Sequence, residues 1–192
     1  NSIAVSTDEV ATVVSVSYHD ATNSALKVAS ATYRHDGVPV LVRRDTVMSG
    51  TSVLNRGLYT SLKLDSSHRP HVSFQSTALL GAETLRHAQY LGDGTGNCGV
   101  GDASGDWQCT DVDSGEGLGQ YTSLAIGADG YPRIAYYDST NHYLKYAARG
   151  VLGWAIYTVD IFGEDTGKYA SLYLDDSDSP HMAYYNATDQ TV

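Results

Sequence analysis

The sequence contains nearly the same phrase twice. Residues 135–147 are AYYDSTNHYLKYA, and residues 17–29 are the closely similar SYHDATNSALKVA. Internal repetition constrains a fold more than any other sequence feature, because each copy must form the same supersecondary unit and bury its apolar faces against its neighbours. The chain therefore divides first by its repeats.

Four short phrases recur along the chain, the first two in four copies and the last two in three. The first begins at Asn1, Tyr59, Tyr121 and Tyr169, the second at Val14, His71, Arg133 and His181, the third at Ala25, Thr84 and Tyr143, and the fourth at Val38, Asp106 and Gly153. Each phrase is rich in Tyr, Val, Ile, Leu and Thr, and Gly, Asp, Asn, Ser or Pro residues bound it. This is the pattern of a β-strand between turns, so the sequence predicts short strands throughout.

Units of four short antiparallel strands are typical of the blades of a β-propeller. We predict an all-β, β-propeller-like fold with four-stranded antiparallel blades, about three and a half of them, in a single domain, 1–192, with repeats at 1–58, 59–120, 121–168 and 169–192. Insertions at 78–84 and 98–109 account for the longer second repeat. The half repeat leaves three interpretations: a piece of a longer polypeptide, which we favour, a four-bladed ring with a thin last blade, or a ring completed by several chains.

The third repeat carries the pattern most fully, as YTSLAIGADGYPRIAYYDSTNHYLKYA followed by W-x-I-x-TVD. It resembles the repeat YTSLALD…DG…YYD…N…LKYA…W…TVD of secreted bacterial β-propeller repeat proteins. The second repeat departs from this pattern at Gln75 and Ser76, and the first lacks its Asp-Gly turn at 7–12. The resemblance implies a propeller that is usually an appended or scaffolding domain, and it implies no single activity.

The net charge of the chain limits the classes of partner that it can bind. With 12 Lys and Arg against 22 Asp and Glu, the formal net charge is −10. Such a surface repels phosphate backbones and anionic membranes, so we predict no nucleic-acid partner. No apolar run approaches the roughly 18 residues that a spanning helix needs, so we also predict no membrane insertion.

The two cysteines, Cys98 and Cys109, lie in the Gly-rich stretch NCGVGDASGDWQC. They are not a CxxC pair and no histidine cluster accompanies them, which argues against zinc. We favour a disulfide over free thiols, and a disulfide indicates an oxidising, extracytoplasmic compartment: secreted, cell-surface or periplasmic.

The remaining residues that could bind a metal or take part in catalysis do not form a recognisable motif. Asp175, Asp176 and Asp178 lie close together, but their loop lacks the glycine and the closing glutamate of an EF-hand and is interpreted as a hairpin turn. His71 and His181 share the repeat position at which the third repeat has Arg133, so we expect an exposed rim position. No GxSxG elbow is present. The sequence thus predicts no metal, no cofactor and no assigned catalytic residue.

The candidate ligand-binding residues lie in loops that up-and-down winding brings to one face of a propeller. These loops are 20–24, 113–120, 138–142 and 160–168, and they carry Asp113 and Asp165 among their acids. The residues that we select are Tyr59, Tyr121, Tyr169, Asp20, Asn23, Asp138, Asn141, Glu116 and Glu164. Tyrosine rings with carboxylates and amides can stack sugars and bond their hydroxyls, or hold a peptide or a basic partner. The alternative is that the Asp and Asn residues form turns and that the tyrosines pack between blades.

We interpret the chain as a non-enzymatic extracytoplasmic propeller that presents one loop face to a protein, a surface complex or a glycan. One alternative is a carbohydrate-active propeller, either a polysaccharide lyase or a glycosidase. Another is a structural subunit of a multi-chain assembly, with further blades from the same or another chain. No acid–base pair in the repeats stands out to favour the enzyme.

Overall fold

A computed structural model describes residues 1–34, 36–78, 81–161 and 164–192. Within these ranges the strands are β1 (Ser2–Thr7), β2 (Ala11–Asp20), β3 (Ala25–Arg34), β4 (Pro39–Met48), β5 (Arg56–Leu64), β6 (Pro70–Thr77), β7 (Glu83–Tyr90), β8 (Trp107–Gly115), β9 (Leu118–Ile126), β10 (Pro132–Asp138), β11 (Tyr143–Gly150), β12 (Gly153–Thr158), β13 (Thr166–Leu174) and β14 (Pro180–Asn186). The described part of the chain contains no helix long and apolar enough to cross a membrane.

The strands form three four-stranded antiparallel sheets and one two-stranded sheet. Their order is β1-β2-β3-β4, β5-β6-β7-β8, β9-β10-β11-β12 and β13-β14, so every strand pairs with its neighbour in the chain. We call these sheets the first to fourth blades. The prediction of four-stranded antiparallel blades in an all-β, propeller-like fold is confirmed.

Successive blades pack face to face, and their innermost strands β1, β5, β9 and β13 contact one another in order. The first and second blades bury an apolar cluster that includes Leu26, Leu62 and Phe74. The second and third blades bury another, and the third and fourth blades a smaller one. Each sheet is too thin to shield its own apolar sides, so burial depends on the adjacent blade.

A serine on each of β1, β5 and β9 bonds the next blade. The Oγ atoms of Ser2, Ser61 and Ser123 accept hydrogen bonds from the backbone N–H groups of Leu62, Leu124 and Leu172, at 3.0, 3.0 and 2.9 Å. Ser2 therefore occupies the place of Ser61 in the repeat. The sequence analysis had aligned Asn1 with Tyr59, and this alignment is wrong by one residue. Because Ser2 is equivalent to Ser61, Asn1 is equivalent to Thr60.

The second blade carries its long insertion between β7 and β8, where a 3-10 turn spans Gly101–Ala103. The predicted disulfide joins Cys98 to Cys109, with Cα atoms 5.9 Å apart. Backbone N–H groups of Gly99 and Val100 bond the carbonyls of Val47 and Thr46 on the first blade, at 3.0 and 2.9 Å. The insertion thus extends the contact between these blades. Of the insertion expected at 78–84, Leu79 and Leu80 lie outside the described residues, and β7 already begins at Glu83.

Candidate functional site

Tyr59, Tyr121 and Tyr169 come together on one face of the molecule, and we call them the tyrosine cluster. The ring centroids of Tyr59 and Tyr121 are 4.9 Å apart, and those of Tyr121 and Tyr169 are 4.6 Å apart. Tyr59 and Tyr169 are 41% and 67% exposed, so the rings remain accessible although they touch. Rings from three blades thus form a continuous aromatic surface.

Each of these tyrosines lies within a β-bulge and not at the start of its strand, as the sequence had suggested. β5, β9 and β13 begin three residues earlier, and their pairing with the second strand skips the tyrosine and the residue after it. The backbone φ angles of the three tyrosines are +50°, +50° and +55°. A bulge redirects one side chain out of the sheet, and here it aims each ring toward its neighbour.

A glycine two residues before each tyrosine allows the blades to approach closely. A Cβ on Gly57, Gly119 or Gly167 would lie 2.9, 3.1 or 2.7 Å from a Cα atom on the third strand of the preceding blade. Those Cα atoms belong to Leu26, Leu85 and Leu144, which are equivalent in the repeat. The recurring sequence is therefore Gly-x-Tyr-Thr/Ala-Ser-Leu. The glycine was missed, although its spacing from the tyrosine is visible in three repeats.

The tyrosine cluster borders a shallow depression of about 300 Å³. Its lining also includes Asn1, Thr60, Thr122 and Ala170. Thr122 donates its hydroxyl hydrogen to the carbonyl of Tyr59 at 2.7 Å, which fixes the position of one bulge against the next blade. Burial raises the pKa of the Tyr121 hydroxyl, and the adjacent tyrosines add to the shift, so this hydroxyl stays protonated as a hydrogen-bond donor.

A charged group lies directly behind the cluster. Tyr137 packs 6.1 Å from Tyr121, centroid to centroid, and its hydroxyl donates to Asp165 at 2.6 Å. Lys168 forms an ion pair with the same carboxylate, and His142 approaches it at 3.5 Å. Desolvation opposes ionisation of Asp165, but the hydrogen bonds from Lys168 and Tyr137 outweigh it and lower the pKa. Asp165 is therefore an ionised anchor for the rings and not a proton donor.

Asp113 is held in the same way one blade earlier. It accepts hydrogen bonds from the Tyr136 hydroxyl at 2.5 Å and from Lys145 Nζ at 2.6 Å. Burial, followed by the bond to Asp113, raises the pKa of Tyr136 well above its usual value. Asp113 lies on β8, and only Glu116 and Gly117 separate β8 from β9, so placing Asp113 in a loop was wrong.

Asp20, Asn23, Asp138 and Asn141 form two equivalent turns. In each turn the aspartate Oδ1 accepts two backbone N–H bonds and Oδ2 accepts one from the asparagine amide, at 2.8 Å for Asn23 and 2.9 Å for Asn141. Lys27 also pairs with Asp20 at 2.6 Å. Aspartates bonded in this way stabilise the turn. A role in binding for these four residues stays a prediction.

Glu116 and Glu164 lie in connections between blades. Glu116 is exposed, and its carbonyl accepts the Thr140 hydroxyl at 2.8 Å. Glu164 accepts a hydrogen bond from the Asn186 amide. The Thr166 N–H likewise donates to the His142 carbonyl at 3.0 Å. Hydrogen bonds of this kind join the connection between two blades to the turn between the second and third strands of a blade, on one face of the molecule. Phe162 and Gly163 of the loop at 160–168 lie outside the described residues.

Sequence analysis did not select Glu83, and it placed His71 wrongly. Burial raises the pKa of Glu83, a hydrogen bond from the Gly117 backbone opposes this shift in part, and the nearby charge of Glu116 adds to it. His71 is 1% exposed, so the expectation of an exposed rim position was wrong for it, whereas His181 is exposed. The buried imidazole of His71 has a polar partner in His87 of the neighbouring strand, at 3.1 Å between Nδ1 and Nε2, and a side chain with such a partner tolerates burial. Among the described residues, no three His, Cys, Asp or Glu side chains are grouped closely enough to hold a metal ion.

No protein-family model matches the sequence, and no curated protein matches it. Among solved structures, the chain is similar to a thermostable family-43 glycoside hydrolase, with a TM-score of 0.44 and 10% sequence identity over 99% of this chain and 85% of that one. It is also similar to an endo-1,4-beta-xylanase from Bacteroides thetaiotaomicron, with a TM-score of 0.42 and 12% identity over 90% of this chain and 64% of that one. Similarity at this level says nothing about chemistry, so function must be argued from the chain's own residues.

Proposed function

We propose that the chain is a non-enzymatic, extracytoplasmic β-propeller module that binds a glycan against the tyrosine cluster. The observation that carries this proposal is the convergence of three rings from three blades, the exposed Tyr59 and Tyr169 on either side of the half-buried Tyr121, with centroids 4.9 and 4.6 Å apart. An aromatic ring presents an apolar face for the C–H side of a sugar and, in tyrosine, a hydroxyl for its polar rim. The depression of about 300 Å³ suits a short stretch of glycan.

The surroundings support rigid binding more than catalysis. Asp165 holds Tyr137 and Lys168 behind the rings, so the aromatic surface is preorganised before a ligand arrives. Preorganisation lowers the entropy lost on binding. The disulfide between Cys98 and Cys109 is compatible with an oxidising compartment and therefore supports an extracytoplasmic location.

A glycan array followed by calorimetry with the strongest hit tests this proposal. We expect Tyr121→Ala to weaken binding at least tenfold, because it removes the central ring, and Tyr121→Phe to keep most of the affinity. Tyr157→Ala is the matched control, since Tyr157 is an exposed tyrosine on β12 away from the cluster. Absence of glycan binding, or equal affinities for the wild type and Tyr121→Ala, would contradict the proposal. Binding of a protein partner that is lost in Tyr121→Ala would assign the face to a protein instead.

A carbohydrate-active propeller is a second candidate, and Glu83 is the observation that favours it. A carboxyl group whose pKa is raised can donate a proton to a leaving group, and Glu83 lies near the exposed Glu116 on the loop side of the second blade. Incubation with polysaccharides separates the two candidates. Release of reducing or unsaturated sugars that Glu83→Gln abolishes would favour the enzyme, whereas binding without turnover would favour the module.

A further inference from the structure

A second cavity, separate from the tyrosine cluster, lies between the outer strands of the second and third blades. Its volume is about 280 Å³. The residues that line it are His87, Gln89, Gln108, Thr110, Gly130, Tyr131, Pro132 and Arg149. It opens beside the β9–β10 turn, at the other end of the strands from the loops that surround the tyrosines. We call it the inter-blade cavity.

The repeat supplies an internal comparison, because the first and second blades enclose an equivalent but smaller groove of about 180 Å³. In that groove Arg43 forms an ion pair with Asp45 at 2.9 Å and lies over the ring of Tyr90 at 3.6 Å. The charge is neutralised and the space is partly filled by the chain itself. A groove of this kind has little left to offer a ligand.

The inter-blade cavity departs from this arrangement at the positions of Arg43, Asp45 and Tyr90. Strand pairing places Gln108 where the first blade has Arg43, and Thr110 where it has Asp45. Arg149 stands at the position of Tyr90. The internal ion pair is thus replaced by an amide and a hydroxyl. On the opposite wall the first groove has Arg69, which is paired with Asp65, whereas the inter-blade cavity has Tyr131 at that place and the positive charge of Arg149 beside it.

Arg149 has no carboxylate within ion-pairing distance among the described residues, although the chain as a whole is acidic. Asp129, on the adjoining β9–β10 turn, is already paired with Arg133 at 2.7 Å. The side chains around Arg149 in the cavity are neutral amides, hydroxyls and an imidazole. A guanidinium in such surroundings favours a carboxylate, which it can bind with two parallel hydrogen bonds.

His87 forms the buried floor of the cavity. It stands where the first blade has Val28 and the third has Tyr146, so the histidine is peculiar to this blade. Its Nε2 bonds His71, and its Nδ1 has no hydrogen-bond partner among the described residues. His71 in turn approaches Asp65 at 3.5 Å through its own Nε2. A polar group buried by more than nine-tenths and left with one free ring nitrogen favours a polar ligand.

We propose that the inter-blade cavity binds a small carboxylate-bearing hydroxylated molecule of about monosaccharide size. Arg149 pairs with the carboxylate, and Gln89, Gln108 and Thr110 bond the hydroxyls. The ring of Tyr131 and the ring of Pro132 cover the apolar side. This site is independent of glycan binding at the tyrosine cluster.

The probe for this site is D-glucuronate, with D-glucose as its neutral counterpart, measured by calorimetry at low ionic strength. We expect glucuronate to bind at least tenfold more tightly than glucose, and Arg149→Gln to remove this difference. Arg34→Gln is the charge-matched control, because Arg34 is exposed and distant from the cavity lining. A second variant, Thr110→Asp, restores the carboxylate that the first blade carries at Asp45 and should also abolish binding.

Thermal unfolding of each variant shows whether it is folded. Equal affinities for glucuronate and glucose, or unchanged glucuronate binding in both folded variants, would overturn the inference. Tyr121→Ala distinguishes the two sites, because we expect it to leave glucuronate binding intact. Loss of glucuronate binding in Tyr121→Ala but not in Arg149→Gln would place the acid at the tyrosine cluster, which contradicts this inference and supports the proposed function.

Discussion

The three tyrosines of the cluster adopt a left-handed backbone conformation that side chains with a Cβ generally avoid. It costs on the order of 1–2 kcal/mol per residue relative to a right-handed or extended one. The surrounding contacts impose it here, since Ser61, for example, holds the strand in place by accepting the Leu124 N–H. Strain that recurs at the same position in three blades indicates that the direction of the rings matters more than local stability.

The buried pair His71 and His87 gives the molecule a predicted pH dependence. Desolvation lowers the pKa of both imidazoles, and although Asp65 partly opposes this at His71, Arg69 and Arg149 reinforce it. The unfolded chain, with histidine pKa values of about 6.5, therefore binds more protons than the folded chain at acidic pH. The free energy of unfolding should therefore be highest above about pH 6.5. Below that pH it should fall by up to about 1.4 kcal/mol per pH unit for each histidine.

Urea unfolding at pH 7.5 and pH 5.5 measures this effect. The double variant His71→Ser/His87→Val carries the residues that the first blade has at Ser15 and Val28, and we expect it to lose less stability on acidification. His181→Gln is the control, because His181 is exposed and should contribute little. An equal loss of stability in the double variant and the wild type would show that other groups govern the pH response.

The residues of the candidate sites could be predicted from the sequence only where they recur at the same position in several repeats. The tyrosines recur in three repeats, so their selection followed from the pattern, while their role in binding stays a prediction. The burial of His71 could not be predicted, because it depends on His87, which interrupts the pattern in one blade only. Arg149 was missed for the same reason, because the second blade has Tyr90 at the equivalent position and the repeat pattern does not mark an arginine there.

At the scale of elements, the innermost strand does most to join the blades. Its Gly-x-Tyr-Thr/Ala-Ser-Leu sequence supplies a close approach, a bulge, a hydrogen bond and an apolar side chain in six residues. Gly57 makes the approach to the first blade, where a Cβ would lie 2.9 Å from Leu26 Cα. Backbone at that distance cannot rotate away, so the glycine is required by its neighbour as well as by its φ of +88°.

We expect Gly57→Ala to destabilise the fold by about 2–4 kcal/mol, as strain and a backbone clash combine. Gly130→Ala is the matched control, because Gly130 has a similar φ of +78° but nothing within 4 Å of the added methyl group. Its cost should be about 1 kcal/mol, from backbone strain alone. Denaturant unfolding of both variants checks the difference, and equal losses would show that the approach to Leu26 is not a constraint.

The existence and pairing of all the strands could be predicted from their composition and turns, and their boundaries could not. The first phrases were placed at the tyrosines, yet β5 begins at Arg56 and β9 at Leu118. A β-bulge breaks the alternation of side chains, so the residues before it do not continue the pattern after it. The strand therefore appeared shorter in sequence than it is.

At the scale of the whole molecule, two blade faces are left uncovered by the rest of the described chain. Ile3, on β1, is 64% exposed, whereas its equivalent Leu62 is 2% exposed at the interface of the first and second blades. On the fourth blade, Tyr173 is 65% exposed, whereas its neighbour Leu172, on the opposite face of β13, is buried against the third blade. Exposed apolar faces of this kind favour association between protein surfaces.

Sedimentation velocity over a range of concentrations tests this association. We expect the wild type to self-associate, and Ile3→Glu or Tyr173→Glu to reduce the associated fraction severalfold, since each places a charge within an uncovered face. Leu152→Glu is the control, because Leu152 is fully exposed in the β11–β12 turn and outside both faces. A wild type that stays monomeric, or an equal effect of Leu152→Glu, would argue against association through these faces.

The serine-to-leucine bond has a consequence for how such a chain grows over evolutionary time. The second and third blades each carry an acceptor and a donor side by side. Ser61 accepts from the following blade while the N–H of Leu62 donates to the preceding one, and Ser123 and Leu124 do the same. A tandem gene duplication therefore delivers a new blade with both halves of its junction already in place. Lengthening the array requires no compensating substitution, and individual copies are left free to drift toward new chemistry in the grooves between them.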